Sequence, residues 1–257
     1  MTKLIRLGYC IVSILFLSAC NEENNQATCI APTLDADSSF FQDTNLYCYS
    51  PKDIHDAYQL HSLYDMGLSG QGRTIILLDA YGSDTAEADL ITFHEAFFPE
   101  RAMPEFKQII LDDSVYDDDW AAEIALDVQW AHAIALDAAI HLIMTDLGSD
   151  INTSKFIEAV EYIINNYESG TLVSMSFGER ETYFSDTELN QLEALFAQGT
   201  EQGITFFAAS GDAGSQGYAL ESISTPSVIY PTASPYVTSV GGTFLQYGFR
   251  WNPLSNN

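Results

Sequence analysis

The sequence predicts an α/β fold: a mostly parallel sheet with helices on both faces. Three observations predict it. Apolar runs of strand length alternate with amphipathic stretches of helix length between residues 74 and 209. The runs are continuously apolar, as strands covered on both faces are. Two of them end in acids or in a glycine-rich turn, at Asp79 and at 210–214, where open parallel sheets place their ligands.

Each element has its own warrant. Pro51 opens a helix over 51–68, with Ile54, Ala57, Tyr58, Leu60, Leu63 and Tyr64 near helical spacing and Gly67 closing it. A Ser-Gly-Gln-Gly turn at 69–72 leads into a strand at 74–79. A helix over 85–97 and a strand at 107–111 follow. Ile124, Val128, Ala131 and Ala135 mark the apolar stripe of a helix over 119–135. Next come a strand at 139–144, a helix at 153–166, a strand at 171–176, a helix at 185–201 and a strand at 204–209. Beyond 215 the chain is rich in loops, with Pro226, Pro231 and Pro235 and two short apolar pieces at 228–230 and 236–240. The strand–helix order calls for right-handed crossovers.

A chain of 257 residues with 47% hydrophobic content can bury one sizeable core. Its 9 basic residues face 36 acidic ones, a formal charge of −27. That excludes nucleic acid as a partner, because phosphate binding needs a basic patch. Residues 1–19 have a signal-peptide pattern: Lys3 and Arg6, then a short apolar core over 7–17 that is too short to span a bilayer. The Leu-Ser-Ala-Cys run at 17–20 resembles a bacterial lipobox, which makes Cys20 the lipidated first residue; ordinary cleavage near Ala19 is the alternative. The polar run 21–25 then acts as a tether within a 20–45 arm. The expected location is the cell envelope, at the outer membrane if the host is Gram-negative. Cys29 and Cys48 are left as an even pair, giving either a disulfide or two free thiols.

Glu123 and Asp127 stand four residues apart, so they project from one side of the helix, a turn apart. Exposed, the pair is a helix-dipole ornament and a solvated acid. Partly buried, the two share a proton and one pKa rises, which makes a usable general base with an orienting partner. Asp212 sits in the glycine-rich turn 211–214 after a buried strand, as a turn residue or a ligand-facing acid. The Val-Ser-Met-Ser-Phe-Gly-Glu segment at 173–179 is a second small, flexible strand end, along which an extended peptide could pair. The acidic runs at 112–113 and 117–119 lack the spaced ligands and turn glycine of a calcium loop. The five histidines show no metal spacing.

Six segments together resemble the sedolisins, or serine-carboxyl peptidases, which share the subtilisin-like fold. They are Cys-Tyr-Ser-Pro at 48–51, the strand region 72–83, Trp-Ala-Ala-Glu-Ile-Ala-Leu-Asp-Val at 120–128, Ser-Met-Ser-Phe-Gly at 174–178, Ala-Ser-Gly-Asp-Ala-Gly at 209–214, and 230–243, which ends in Val-Gly-Gly-Thr. They occur in family order over about 46–245. The resemblance implies proteolysis of polypeptides at acidic pH. It makes Glu123 the general base toward a serine, Asp127 the acid that orients and tunes it, and Asp212 the oxyanion-hole donor. A carboxyl group donates only while protonated, so Asp212 would keep its proton. Ser176 and Gly178 would line the strand that holds substrate backbone. Asp79 falls where subtilisins carry their triad aspartate and takes a supporting part here.

The family's serine lies in a Gly-Gly-Thr-Ser-Ala-type turn well downstream of Val-Gly-Gly-Thr. Here Phe244 follows Thr243, and no remaining serine has that setting. The peptidase domain, 46–257, is therefore expected to lack its C-terminal part, with a separately encoded piece as a candidate partner. The family's calcium site also belongs to a later segment, so no metal or cofactor is expected. The alternative is a catalytically inactive surface lipoprotein that binds peptides or acts as a scaffold.

Overall fold

The computed structural model describes residues 19–23, 26–30, 50–112, 117–148, 151–212, 214 and 227–243. Of the N-terminal part it describes a hairpin, β1 (Ala19–Glu23) against β2 (Gln26–Ile30), with Cys20 and Cys29 as antiparallel register partners. The signal segment up to residue 18 and Cys48 lie outside the described residues.

Ser50 caps α1 (Pro51–Ala57): its side chain accepts from the Asp53 N–H and Asp53 accepts from the Ser50 N–H, with Pro51 in the first turn. The single helix expected over 51–68 is broken. Gln59 adopts a left-handed φ of 57°, and the chain restarts as α2 (His61–Asp65). The apolar spacing continues through the break, so periodicity alone could not reveal it.

The rest follows the predicted order: β3 (Thr74–Ala80), α3 (Ala86–Phe97), β4 (Phe106–Ile110), α4 (Asp118–Ile134), β5 (Ala139–Thr145), α5 (Thr153–Asn166) and β6 (Leu172–Met175). A short β7 (Glu179–Arg180) and a 3₁₀ turn precede α6 (Asp186–Glu201), β8 (Thr205–Ala209), β9 (Ile229–Tyr230) and β10 (Val237–Val240). Six strands form one fully parallel sheet in the order β10-β8-β6-β3-β5-β4. β7 and β9 pair antiparallel outside it. The chain builds outward from β3 in both directions, so the crevice beside its carboxyl end is the topological switch point.

Alternation along β3 splits the core. Ile76 and Leu78 join α5, α6, β6 and β8 on one face, while Leu77 joins Leu90, Ile124, Val128, Leu142 and Met144 on the other. On the first face the ring of Phe196 meets that of Phe206 edge-on at 5.0 Å and is fully buried. Phe196→Ala should cost about 3–5 kcal/mol in chemical unfolding. A loss below about 1 kcal/mol would show that this face is not packed as described.

Candidate active site

The register of the sheet brings the acids together. Leu77 pairs with Ser174 and Leu78 with Met175, so Asp79 and Ser176 are the next residues along two neighbouring parallel strands. Asp79 shares the parity of Leu77, so its side chain leaves the sheet on the α4 face. On α4, Ile124 and Val128 are fully buried against that face. Glu123 and Asp127 each precede one of them, about 100° round the helix, at the flank beside the carboxyl edge. A helix that crosses back over a parallel sheet begins at that edge, which is why acids in its first half meet the ends of β3 and β6.

Asp79 is fully buried, and burial followed by the charges of Asp127 and Glu123 raises its pKa well above the ordinary aspartate range. Glu123 is pushed up to about 8, by burial first, then by Asp127 and by Asp212, against a lowering hydrogen bond from Ser176. Asp127 is pushed up to about 6 by burial, and hydrogen bonds from Ser176 and Asp79 hold it down. As carboxylates, both Asp79 oxygens and Oδ2 of Asp127 would be buried without a donor among the described residues. A proton on Asp79 pairs one of its oxygens with Asp127, since it makes Asp79 the donor and Asp127 the acceptor. The like-charge cost expected for a solvated Glu123–Asp127 pair thus becomes a shared-proton arrangement of three acids.

Asp212 stands apart in character. It is exposed, on the turn after β8 where Gly211 takes a φ of 82°, and Ser210 N–H extends the ladder to the Val240 carbonyl at 2.9 Å. Its charge reaches Glu123. Residue 213 and residues 215–226 beyond it lie outside the described residues.

Gly178 has a packing duty that the sequence does not display. A Cβ there would come within 2.3 Å of Ile229 Cγ2 and 3.0 Å of the Tyr230 carbonyl oxygen, because the β7–β9 pair crosses at this point. Gly178→Ala should therefore destabilise by about 1–3 kcal/mol in a urea titration. An unchanged midpoint would mean that the β9 segment moves freely aside.

Asp79, expected in a supporting part, belongs to this cluster. Its signal was an apolar strand ending in an acid. Tyr81, two residues on, holds a left-handed φ of 58°, and its ring centroid lies 6.2 Å from that of Trp120 on α4. Among the described residues no group of three or more His, Cys, Asp or Glu side chains could hold a metal ion.

No family model matches the chain. It is 27% identical to kumamolisin of Bacillus sp. (strain MN-32) over 206 residues, 77% of this chain and 34% of that protein. It is 25% identical to bovine (Bos taurus) tripeptidyl-peptidase 1 over 128 residues, 50% of this chain and 23% of that protein. The chain thus spans about a third or less of the length of these relatives. Among solved structures, the Pseudomonas sedolisin, a serine-carboxyl proteinase complexed with two molecules of pseudo-iodotyrostatin, superposes with a TM-score of 0.62 at 24% identity, over 74% of this chain and 54% of that one. The sequence similarity places the chain beside the serine-carboxyl peptidases of the sedolisin family, which it resembles, and the shared fold is subtilisin-like.

Proposed function

We propose that these residues carry the acid half of a serine-carboxyl peptidase site acting on polypeptides. The supporting observation is the convergence of Glu123, Asp127 and Asp79 beside Ser176, with the charge of Asp212 reaching Glu123. Glu123 takes the proton of a serine hydroxyl as general base and returns it to the leaving amine as general acid. Asp127 orients and tunes Glu123. Asp212, when protonated, donates to the developing oxyanion. The backbone around Ser176 and Gly178 pairs with the extended substrate. Burial and mutual repulsion raise both Glu123 and Asp127, so the pair retains a proton above the ordinary carboxylate range. Moving that proton within the pair turns Glu123 into the carboxylate the reaction needs.

The 257 residues contain no Gly-Thr-Ser-Ala turn, so a polypeptide of this sequence alone is expected not to hydrolyse a denatured protein at pH of about 4. Robust hydrolysis by the purified chain would overturn that inactivity. Sequencing the DNA past codon 257 separates the two readings. A frame encoding the serine turn favours a split or interrupted peptidase; unrelated sequence favours a peptide-binding lipoprotein anchored at Cys20. Where a serine-bearing segment restores hydrolysis, Glu123→Gln should lower kcat/KM by about 10²–10⁴-fold. A Gln variant at full rate would remove Glu123 from the chemistry.

A further inference from the structure

Ser176 occupies a place that substrate pairing does not require of its side chain. It is the first residue past β6, in line with Asp79, on the α4 face of the sheet and half-buried. Its hydroxyl lies within hydrogen-bonding reach of both Glu123 and Asp127. A peptide pairing with this strand end would use the backbone N–H and C=O, leaving the hydroxyl for the acids. The charged and titratable groups around it come from three elements: Asp79 from β3, Glu123 and Asp127 from α4, and Asp212 from the turn after β8.

A hydroxyl carries one proton, so it cannot donate to two carboxylates at once, but it can accept from one acid while donating to another. We propose that Ser176 is a positioning residue that links Glu123 to Asp127 as a one-atom proton bridge. The proton of Glu123 passes to Ser176 Oγ while the Ser176 hydroxyl proton passes to Asp127. A protonated Glu123 and an ionised Asp127 become an ionised Glu123 and a protonated Asp127, and the serine is unchanged. The bridge supplies the carboxylate at Glu123 without releasing a proton to solvent. Asp79 also donates to Asp127, so Asp127 holds its charge with two donors until the bridge delivers the proton. The inference rests on the reading of Glu123 as the base, but its test does not.

The test titrates the carboxyl carbons of the intact 257-residue chain, labelled with ¹³C at Asp or at Glu, by NMR, with Glu123→Gln and Asp127→Asn assigning the two signals. In the wild type the two acids titrate as an interacting pair. Ser176→Ala should move the Asp127 transition upward by about one pH unit, since its carboxylate loses a donor, and the Glu123 transition downward, since its proton loses an acceptor. Ser176→Cys, which keeps the volume with a weak donor, should shift each acid in the same direction as the alanine variant does, and it carries the test should the alanine variant fold poorly. Ser176→Thr, which keeps the hydroxyl, should restore both. Unchanged transitions, or a shift in Glu123 alone, overturn the bridge. Hydrolysis enters none of these readouts, so the bridge can stand or fall apart from the peptidase reading.

Discussion

Raising the pH from 5 to 9 is expected to lower the unfolding free energy by on the order of 3 kcal/mol, and Glu123→Gln should recover a large part of the loss. The sign follows from the direction of the shifts. Glu123 rises from 4.5 to about 8, and Asp127 from 3.8 to about 6. The folded chain therefore holds protons that the unfolded chain releases. Stability from these groups is fully present below about pH 4, and it is lost as the pH climbs through 6 and then 8. Each retained proton contributes a slope of about 1.4 kcal/mol per pH unit within its window. The surface acids with lowered values, Asp56, Asp137, Glu105 and Glu188, act in the opposite direction. Their window lies below the ordinary carboxylate range, so they do not offset the alkaline loss. Asp79→Asn is the sharper variant. An amide donates to Asp127 at every pH, so this variant should match the wild type at pH 5 and exceed it at pH 9. Asp79→Ala removes the donor and opens a buried space, and should destabilise at both. Urea midpoints at pH 5, 7 and 9 decide the matter. A wild-type midpoint that holds level or rises toward pH 9 would mean that the acids are solvated and do not share protons.

Much of this arrangement was legible because it rests on periods. Thr74 to Asp79 announces a buried strand with an acid at its carboxyl end, and the structure extends that strand only to Ala80. The four-residue spacing of Glu123 and Asp127 fixes a common side of α4 whatever the tertiary context. What could not be read is what depends on distant partners. The break at Gln59 is a backbone choice inside a pattern that reads as unbroken helix. The β7–β9 pair joins residues about fifty apart, and only that crossing explains why position 178 tolerates no Cβ. Asp79 needed the register of β3 against β6 before its proton could be assigned to a partner. Asp212 gave the reverse case. Its turn was predictable from glycines, while its exposure reflects loop context that local sequence does not encode.

Acidification should strain the opposite end of α4. His132, fully buried in its last turn, contacts His94 of α3, with His94 Nδ1 and His132 Nε2 at 3.0 Å. His94 Nε2 faces the Arg101 carbonyl at 3.1 Å and must donate to it, so His94 Nδ1 is the acceptor and His132 Nε2–H the donor. His132 Nδ1 is then a buried lone pair with no partner among the described residues. Protonation would place an N–H and a charge there, beside the rings of Phe93 and Phe98. A helix C-terminus favours a charged histidine by about 0.3–1 kcal/mol. The fall of His132 from 6.5 to about 4 corresponds to roughly 3 kcal/mol, so burial wins, reinforced by His94 and Arg101 and only partly opposed by Asp137. The folded pKa is depressed, so the unfolded chain binds the proton more readily. Stability is whole above 6.5 and is lost as the pH falls toward 4. His132→Phe keeps a ring in the core but leaves the His94 acceptor without its donor. It should lower stability by about 1 kcal/mol at pH 7 while flattening the decline between pH 6.5 and 4. Melting curves at half-unit pH steps would show it, and a variant that declines as steeply as the wild type would move the acid sensitivity elsewhere. One helix would then set both limits of the fold's pH range, with acids that must keep their protons near its start and an imidazole that must stay neutral near its end.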